Sequence, residues 1–290
     1  MDKMPFLTKK AVAGFIESAL NEDLGEGDHS SLASIYPNHQ ASAQLIIKSP
    51  GILAGVELAD QIFNTVDKYL EVELLKKDGD LVSPGDIGLI VEGKAQSILA
   101  AERLVLNCMQ RMSGIATYTN YLNSLISDTS AKLLDTRKTT PNFRLPEKWA
   151  VAIGGGQNHR FGLFDMIMLK DNHIDFAGGI SAAIEATKSY LDQKGLDLKI
   201  EVETRNLKEV QEVLDNQGVY RIMLDNMTLD ELRKAVELID GHCQTEASGG
   251  ITEDTIAKVA ATGVDYISVG ALTHSASSLD ISLKAIVPGA

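Results

Sequence analysis

The chain has 290 residues, 44% of them hydrophobic, so it is long enough for one large or two ordinary domains with substantial cores. No run approaches the roughly 18 apolar residues of a membrane helix, and the first ten residues lack the apolar segment of a signal peptide. A net charge of −13 argues against nucleic acid as a partner, because phosphate binding needs a broad basic face. Cys108 and Cys243 form no ligand cluster, which favours reduced cysteines and a cytoplasmic protein.

The first third of the chain predicts an α+β domain over residues 1–112. Thr8 to Leu24 has apolar residues at helical spacing with Thr8 as the N-cap, and Gly25 and Gly27 then predict a loop through residues 25–31. The other predicted elements of this domain are helices at 56–67 and 97–112 and strands at 43–48, 71–76 and 87–92.

From residue 113 to 274 the pattern changes to strands that alternate with helices. The predicted strands are 132–136, 165–170, 199–203, 220–225, 244–248 and 264–269, and the predicted helices are 179–193, 206–216, 228–239 and 252–261. Repeated βα units at this spacing imply a parallel sheet with right-handed crossovers. Six strands are compatible with either an incomplete barrel or an open doubly wound sheet.

Polar residues at the strand ends distinguish these two folds. They occur at the carboxyl ends of all the predicted strands: Arg137, Lys138, Lys170, Asp171, Glu203, Asp225, Asn226, Ser248, Gly249 and Gly270. An open sheet places its site at one switch point and uses few strands, whereas a barrel gathers every strand end around one mouth. The sequence therefore favours an incomplete parallel α/β barrel.

The stretch from Asp135 to Asp175 gathers positive charge in an acidic chain. It contains six of the 27 Lys and Arg residues against five acids, and most of the bases fall at strand ends rather than at helical spacing. Such a cluster predicts a pocket for an anionic small molecule. Arg137, Arg160 and Lys170 are its candidate carboxylate ligands, together with Lys138 and His159.

A second set of residues predicts a sugar-phosphate site. Ser248, Gly249 and Gly250 follow a strand and precede the helix expected at Thr252, an arrangement typical of phosphate binding, and Gly270 follows the next strand. Glu203 and Asp225 face the same mouth, where such acids commonly hold Mg²⁺ or ribose hydroxyls. Glu201 shares a strand face with Glu203 but lies farther from the mouth, so Glu203 is the better functional candidate, and the alternatives for Glu201 are the main acidic role or a buried structural one.

Several long motifs in this chain resemble quinolinate phosphoribosyltransferase, the carboxylating nicotinate-nucleotide pyrophosphorylase family of NAD biosynthesis. The motifs are ALNEDLGEGDHSS, AERLVLNCMQRMSGIAT, LDTRKTTP, EKWAV, GGGQNHR, LKDNHI, IEVET, IMLDN, EASGGI and ISVGALTHS. The resemblance runs almost end to end. It implies an N-terminal α/β domain, an incomplete barrel, a tail at 275–290 that returns to the first domain, and a homodimer with sites at the subunit interface.

The resemblance also assigns roles to individual residues. Arg137, His159, Arg160 and Lys170 would bind the two carboxylates of quinolinate, and Arg103 would reach the same substrate from the partner subunit. Lys138, Glu203, Asp225, Ser248, Gly249, Gly250 and Gly270 would serve phosphoribosyl pyrophosphate, with Glu203 and Asp225 as the Mg²⁺ ligands. Lys138, Lys170, Glu203 and Asp225 would act in catalysis. The pyridine nitrogen would attack ribose C1 as pyrophosphate leaves, and CO₂ would then depart from the pyridinium.

Three other functions are compatible with parts of the pattern. Lys170 could form a Schiff base, as strand-end lysines of barrel aldolases do. A related transferase, such as the molybdenum-transport-linked relatives of this family, would act on another anionic ring. A binding protein without activity would keep the pocket but would have no reason to keep the complete set of charged residues.

Overall fold

A computed structural model describes residues 4–287 of the chain. The helices are α1 (Lys9–Leu24), α2 (His29–Ser34), α3 (Val56–Val66), α4 (Ala95–Ser124), α5 (Arg144–Ile153), α6 (Asp171–Ala177), α7 (Ile180–Lys194), α8 (Leu207–Leu214), α9 (Leu229–Ile239), α10 (Ile256–Ala260) and α11 (Ala271–His274). The strands are β1 (Gln40–Ile47), β2 (Gly51–Ile52), β3 (Glu71–Leu74), β4 (Leu81–Val82), β5 (Ile87–Lys94), β6 (Lys132–Leu134), β7 (Ile167–Leu169), β8 (Ile200–Thr204), β9 (Arg221–Asp225), β10 (Gln244–Ser248), β11 (Tyr266–Ser268) and β12 (Ile281–Ala285).

The chain forms two compact units. The first combines Met1–Asn120, Thr139–Gly155 and Leu272–Ala290, and the second combines Tyr121–Lys138 and Gly156–Ala271. The sequence analysis divided the chain at residues 112 and 274, whereas residues 139–155, which it assigned to the barrel, cluster with the first unit. Residues 1–3 of the expected first domain and 288–290 of the expected tail lie outside the described residues.

The first unit contains an antiparallel sheet with the strand order β12-β1-β5-β3. Along β1, buried residues alternate with half-exposed ones from Ala43 onward, as expected for a strand with one face against a core. β12 pairs with β1 so that Leu283 lies opposite Leu45, and the last strand of the described chain thereby joins this sheet. Ile62 and Phe63 on α3 are fully buried and contribute to the core of this unit.

The helix α2 corrects the loop predicted for residues 25–31. Asp28 caps this helix, because its Oδ1 accepts hydrogen bonds from the backbone N–H groups of Ser30 at 3.1 Å and Ser31 at 3.2 Å. An aspartate N-cap of this kind satisfies donors that the first turn leaves unpaired. The sequence predicted a loop because Gly25 and Gly27 precede Asp28, and the helix start is marked by that single aspartate.

The helix α4 is 30 residues long and continues past its predicted end at Met112. Gly114 lies inside this helix, where a Cβ atom would be only 2.0 Å from the carbonyl oxygen of Ser277. Glycine is therefore present to let two backbones approach closely rather than to end the helix. Among the described residues, neither α4 nor any other helix is long and apolar enough to cross a membrane.

A buried ion pair ties residues 139–155 into the first unit. The Oε1 of Glu147 accepts hydrogen bonds from the Nε of Arg111 at 3.1 Å and the hydroxyl of Thr140 at 2.9 Å, while its Oε2 accepts from the Thr140 N–H at 3.0 Å. Arg111 also donates to the carbonyl oxygen of Ala276 at 2.6 Å. These bonds compensate a carboxylate that is fully buried and connect all three segments of the unit.

The second unit contains a six-stranded parallel sheet with the order β6-β11-β10-β9-β8-β7. From β7 to β11 each strand lies beside the next one in the chain, and β11 then lies beside β6. A doubly wound sheet reverses direction at a switch point, and this sheet never does. The prediction of an incomplete barrel is confirmed, with the opening between β6 and β7.

The register of this sheet separates polar from apolar side chains. Glu201 of β8 lies opposite Arg221 of β9, and Ser248 of β10 lies opposite Asp225 at the end of β9. The alternate positions on the other face are buried and apolar: Val202, Ile222, Leu224 and Ala247. Since the apolar face packs beneath the helices of the βα units, the polar face lines the inside of the barrel.

We expect Gly114→Ala and Gly14→Ala to change stability in opposite directions. Gly14 lies in α1 with nothing within 4 Å of an added Cβ atom, so alanine should add about 0.5–1 kcal/mol through its helix propensity. At Gly114 the added methyl group meets backbone and should cost about 1–3 kcal/mol through overpacking. Urea denaturation measures both changes, and stabilisation by both variants would contradict the close approach to Ser277.

Candidate active site

Charged and glycine residues gather at the carboxyl ends of the parallel strands. β6 ends just before Arg137 and Lys138, and β7 ends just before Lys170. The other predicted residues of the second unit lie at or after the ends of β8 to β11: Glu203, Asp225, Ser248, Gly249, Gly250 and Gly270. Parallel strands have their carboxyl ends at one rim, so the structure brings this set together. Arg103 is exposed on α4 of the first unit.

Two arginines lie beside the opening of the barrel, Arg137 after β6 and Arg160 in the segment that is bridged to β6. Partial burial and the positive charge of Arg137 lower the pKa of Arg160. The Nη1 of Arg160 donates to the carbonyl oxygen of Met166 at 3.2 Å, which holds the side chain beside the start of β7. Like charges held together in a partly buried position favour binding of an anion that neutralises them.

The buried carboxylate of Asp135 holds the segment that carries Arg160. Its Oδ1 accepts a hydrogen bond from the backbone N–H of His159 at 2.8 Å, and its Oδ2 accepts from the Nδ2 of Asn158 at 2.7 Å. Gln157 forms a parallel bridge with Leu134 of β6, at the open edge of the barrel. The segment from residue 157 to 160 is therefore fixed to the strand that borders the opening.

The ring of His159 points into a charged cluster inside the barrel. Its Nε2 lies 3.0 Å from the Oε2 of Glu201 and 3.4 Å from the Oε2 of Glu246. The Nη1 of Arg221 lies 2.9 Å from the same oxygen of Glu246 and 3.7 Å from the Oε2 of Glu201. All four side chains are buried, so these contacts replace hydration that the groups lose on folding.

The two acids of this cluster differ in their affinity for protons. Burial and the nearby charge of Glu246 raise the pKa of Glu201. Burial acts in the same direction on Glu246, but the contacts with His159 and Arg221 outweigh it and lower the pKa of Glu246. Glu246 is thus the ionised partner of Arg221, and Glu201 is the acid that more readily takes a proton.

His159, Glu201 and Glu246 also have their donor atoms within 4.8 Å of one another, a spacing that a metal ion could bridge. The other ring nitrogen of His159, Nδ1, accepts the backbone N–H of Arg160 at 2.7 Å. The neutral ring then carries its proton on Nε2, which has no lone pair for a metal. Burial opposes a positive charge on the ring, whereas the contacts with Glu201 and Glu246 favour one and raise the pKa of His159; the Arg160 N–H at 2.7 Å nevertheless needs a lone pair on Nδ1, so the geometry corresponds to the neutral ring with hydrogen on Nε2. The cluster is therefore suited to ion pairing rather than metal binding.

Both ring nitrogens of His159 thus contact protein groups. The resemblance implied that His159 is one of the residues that bind the two carboxylates of quinolinate. The acids beside Nε2 would repel such a carboxylate, and Nδ1 already holds the Arg160 N–H. This placement suits His159 to holding Arg160 in position.

Lys170 and Glu203 form an ion pair across neighbouring strand ends. The Nζ of Lys170 lies 3.1 Å from the Oε2 of Glu203, and the lysine side chain is 46% exposed while the glutamate is largely buried. The backbone N–H of Lys170 donates to the Nδ1 of His173 at 3.0 Å, where α6 begins. The lysine side chain is therefore partly in solvent at the rim, with its ammonium group paired to Glu203.

Asp225 is linked to the glycine loop after β10 through Asn226. The Nδ2 of Asn226 donates to the Oδ2 of Asp225 at 2.7 Å, and its backbone N–H donates to the carbonyl oxygen of Ser248 at 2.9 Å. Gly249 has a φ of +95°, and a Cβ atom there would lie 2.2 Å from the Oδ1 of Asn226. Gly249 is thus required both by its backbone conformation and by the asparagine beside it.

The helix predicted to begin at Thr252 begins later. α10 starts at Ile256, has five residues, and follows a turn in which the Thr252 N–H donates to the hydroxyl of Thr255 at 2.9 Å. The helix dipole therefore does not act on the Ser248–Gly250 loop as the sequence analysis expected. The loop itself, with positive φ angles at Gly249 and Gly250, remains at the rim.

Three residues that organise the site were not predicted from the sequence, namely Asp135, Arg221 and Glu246, whereas Asn226 was predicted only as a polar residue at a strand end. Arg221 and Glu246 could have been noticed as charged residues at alternate positions of otherwise apolar strands, as Glu201 was. Their pairing depends on the register of separate strands, which the sequence does not show.

A singly wound parallel barrel with cations, acids and glycines around its rim defines an α/β-barrel enzyme that binds anionic substrates. Two family models match almost all of the chain: the N-terminal domain of quinolinate phosphoribosyl transferase at residues 28–113 and the C-terminal domain at 115–284. The chain belongs to the quinolinate phosphoribosyl transferase family.

Individual relatives agree with this assignment. The chain is 50% identical to the chloroplastic nicotinate-nucleotide pyrophosphorylase (carboxylating) of Arabidopsis thaliana, over 93% of this chain and 81% of that protein. It is 44% identical to the probable enzyme of that name from Bacillus subtilis, over 90% and 89% of the two chains. The solved nicotinate-nucleotide pyrophosphorylase of Francisella tularensis is 38% identical, with a TM-score of 0.89 over 97% of this chain and 98% of that one.

The charged cluster inside the barrel makes a testable prediction about stability. Arg221→Met should cost about 3–5 kcal/mol of unfolding free energy, because it leaves Glu246 buried without its cation. Adding Glu246→Leu should recover part of that loss, because the resulting apolar pair of similar volume contains no buried charge that needs a partner. Denaturation of the single and double variants would measure this, and a double variant less stable than Arg221→Met alone would contradict the pairing.

Proposed function

We propose that this chain is a quinolinate phosphoribosyltransferase, which converts quinolinate and phosphoribosyl pyrophosphate to nicotinate mononucleotide, CO₂ and pyrophosphate in NAD biosynthesis. Family membership and the names of relatives about 50% identical over 93% of the chain support this reaction. The observation within the chain that carries it is the pair of guanidinium groups, Arg137 and Arg160, at a barrel rim that also presents carboxylates and a glycine loop.

The cationic residues beside the barrel opening suit quinolinate. Its two carboxylates on adjacent ring atoms would neutralise the repulsion between Arg137 and Arg160. The half-exposed ammonium of Lys170 would provide a third positive charge from the other side of the opening. Together they would hold the ring with its nitrogen in line for attack, and this orientation is a large part of the rate enhancement.

The acids and glycines of the remaining strand ends suit phosphoribosyl pyrophosphate and its Mg²⁺. Glu203 and Asp225 lie on one face of neighbouring strands, and Mg²⁺ commonly binds one or two carboxylates together with substrate phosphates. These two residues would hold the ion, and bound magnesium supplies neutralisation of the leaving pyrophosphate. The phosphate ligands would be Lys138, Ser248, Gly249, Gly250 and Gly270.

The chemistry requires charge stabilisation rather than a covalent enzyme intermediate. As the pyridine nitrogen attacks ribose C1, the sugar develops positive charge, which carboxylates such as Glu203 and Asp225 stabilise. CO₂ then leaves as the electrons of the bond between the ring and the 2-carboxylate stay on the ring carbon, where the adjacent pyridinium nitrogen stabilises them, and that carbon takes up a proton from solvent to give nicotinate mononucleotide. Lys138 and Lys170 stabilise the negative charge of the phosphates and carboxylates during these steps.

The arrangement of Lys170 argues against Schiff-base catalysis. A Schiff-base lysine reacts as a neutral amine, which a desolvated pocket or a neighbouring cation favours. Lys170 instead pairs with Glu203 at 3.1 Å and its side chain is 46% exposed, so it does not lie in a desolvated pocket. A keto substrate with borohydride would trap the lysine if this alternative were correct.

Two further alternatives concern the ligand rather than the fold. A transferase for another anionic ring would use the same rim, and a panel of pyridine and benzene mono- and dicarboxylates would separate it from a quinolinate enzyme. An inactive binding protein would bind quinolinate without turnover. We favour the quinolinate enzyme because the names of the curated relatives agree with the residues of the rim.

The subunit arrangement and cellular location are further parts of this proposal. We infer a homodimer in which Arg103 completes the quinolinate site of the partner subunit, because this exposed arginine belongs to the AERLVLN motif that resembles the family's. We infer a cytoplasmic enzyme from its two free cysteines, while the Arabidopsis relative is named as chloroplastic. Cell fractionation with an antibody would test the location.

The reaction itself is tested by incubating the purified chain with quinolinate labelled in its 2-carboxylate. We expect release of labelled CO₂ that requires both phosphoribosyl pyrophosphate and Mg²⁺, with formation of nicotinate mononucleotide in equal amount. No release with the folded protein would overturn the proposal, and release without pyrophosphate formation would point to a different decarboxylation.

We expect Asp225→Asn to weaken phosphoribosyl pyrophosphate binding more than quinolinate binding, because Asp225 lies at the rim beside the glycine loop and not beside the arginines. Glu203→Gln should also weaken binding of phosphoribosyl pyrophosphate. Because it also removes the ion pair with Lys170, it should change the affinity for both substrates. Calorimetry with each substrate would measure this.

Asp230→Asn is the matched control for this pair, since Asp230 pairs with Arg233 on the surface of α9. It should change neither affinity. Loss of quinolinate affinity in Asp225→Asn with phosphoribosyl pyrophosphate binding unchanged would reverse the assignment of the two halves of the rim.

The proposed dimer predicts complementation between two inactive variants. Arg103→Ala and Lys170→Ala should each lose activity on the order of a hundredfold, because each removes a positioned cation. In a mixed dimer both lesions would fall in one site and leave the other intact. With random exchange of equal amounts, activity should recover to about a quarter of that of the unmodified enzyme, since about half of the dimers are mixed.

Mass spectrometry of the exchanged sample would establish that mixed dimers had formed. If they had formed and activity did not recover, Arg103 and Lys170 would not contribute to one shared site. Lys208→Ala, a change on the surface of α8, would serve as an active partner that confirms exchange does not itself inactivate the enzyme.

A further inference from the structure

The buried cluster of His159, Glu201, Arg221 and Glu246 takes no direct part in the proposed reaction. Glu201 and Glu246 are fully buried, and such acids are destabilising unless they are paired. The pairing here is with Arg221 and with the Nε2 of His159 at 3.0 Å and 3.4 Å. An apolar interior of the same volume would be at least as stable, so stability alone does not explain the cluster.

The imidazole ring of His159 connects the cluster to the backbone of Arg160, in addition to the direct electrostatic attraction between Glu201 and Arg160. On one side, Nε2 of His159 faces the two acids, and on the other, Nδ1 accepts the backbone N–H of Arg160 at 2.7 Å. Asp135 holds the preceding peptide by accepting the N–H of His159 at 2.8 Å. The position of the Arg160 backbone therefore depends on the ring orientation that the acids impose.

The partners of the acids are themselves fixed. The guanidinium of Arg221 stacks on the ring of Tyr266 at 4.1 Å, and its Nη2 donates to the Oε1 of Gln244 at 3.1 Å. Strand register sets these contacts, because Arg221 lies opposite Gln244 and Tyr266 lies opposite Glu246. A cluster anchored on four strands can hold His159 more rigidly than a loop contact could.

We propose that Glu201, Glu246 and Arg221 are positioning residues, which fix the ring of His159 with hydrogen on Nε2 and a lone pair on Nδ1 and thereby place Arg160 for binding a substrate carboxylate. The inference rests on the proposed function, since it names what aligns one of the quinolinate ligands. A proton on Nε2 faces the acids, and the Nδ1 lone pair is then oriented toward the Arg160 N–H. Loss of the acids frees the ring to rotate or change tautomer, and Arg160 loses its support.

The test compares two substitutions of Glu201 that differ in their ability to accept a hydrogen bond. Glu201→Leu removes the acceptor but leaves the Arg221–Glu246 ion pair intact. It should therefore fold more readily than a variant of Glu246 or Arg221, which would break that pair. We expect KM for quinolinate to rise about tenfold to a hundredfold, with KM for phosphoribosyl pyrophosphate within twofold. Glu201→Gln keeps an oxygen beside Nε2 and should recover most of the affinity.

Thr245→Val is the matched control for loss of a buried polar group in the same sheet. Thr245 is buried beside Glu246 in β10, and its hydroxyl donates to Asp265 at 2.9 Å on the apolar face. This variant should lose stability without a change in either KM. Equal rises of both KM values in Glu201→Leu and Thr245→Val would show that the cluster acts only on stability and would overturn the proposal.

A double variant tests whether Glu201 acts through His159. His159→Ala should raise KM for quinolinate, and Glu201→Leu should add little to it, because the ring that transmits the effect is already absent. Independent, additive effects would overturn the proposed route from the acid to Arg160.

A spectroscopic measurement separates failure of this inference from failure of the proposed function. Nitrogen-15 labelling of histidine, with His159 assigned by comparison with His159→Ala, reports which ring nitrogen carries hydrogen. We expect hydrogen on Nε2 in the unmodified chain and a changed pattern in Glu201→Leu, whatever the substrate. An unchanged pattern would overturn the inference even in an active enzyme, whereas the expected change in a chain that does not bind quinolinate would overturn only the proposed function.

Discussion

The site depends on the register of the parallel sheet in the second unit. Because side chains alternate along each strand, pairing Glu201 with Arg221 commits every charged residue of β8, β9 and β10 to one face. A slip by one residue would bury these charges against the helices and expose Val202 and Ile222 inside the barrel. The apolar face therefore selects the register, and the register in turn assembles both the interior cluster and the rim.

The strand order confirms the predicted incomplete barrel, and the family match confirms the predicted quinolinate phosphoribosyltransferase family. The sequence predicted some structural elements better than others. Apolar periodicity gave the six parallel strands, because each buried strand is a short apolar run that ends in polar residues. Two predicted helix boundaries near glycines were wrong, the end of α4 at residue 112 and the start of α10 at Thr252. Gly114 allows α4 to pass Ser277, and the glycine loop after β10 leads into a turn before α10. In both cases, the role of glycine depends on atoms distant in the chain.

The candidate residues at strand ends could be predicted because a strand end is a local feature. The residues that hold them could not, since each support joins separate segments: Asp135 with Asn158, Glu246 with Arg221, and Asn226 with Ser248. His159 illustrates the difference. Its place in the GGGQNHR motif identifies a residue of the site, whereas only its contacts with Glu201 and Arg160 indicate that its ring supports a neighbour.

The opening of the barrel explains why the two sets of ligands are separated. The strands on either side of the opening, β6 and β7, are followed by Arg137 and Lys170, and the segment that bridges toward β6 carries Arg160. The continuous arc from β8 to β11 carries the acids and the glycines instead. Cations thus flank the gap, where no strand limits the space available to an aromatic ring. Backbone groups of the glycine loops lie along the closed arc, where they can approach a phosphate without interference from side chains. In the proposed function, the dicarboxylate would therefore bind on the open side of the rim and the phosphoribosyl group on the closed side, with Lys138 reaching the phosphates from the edge of the opening.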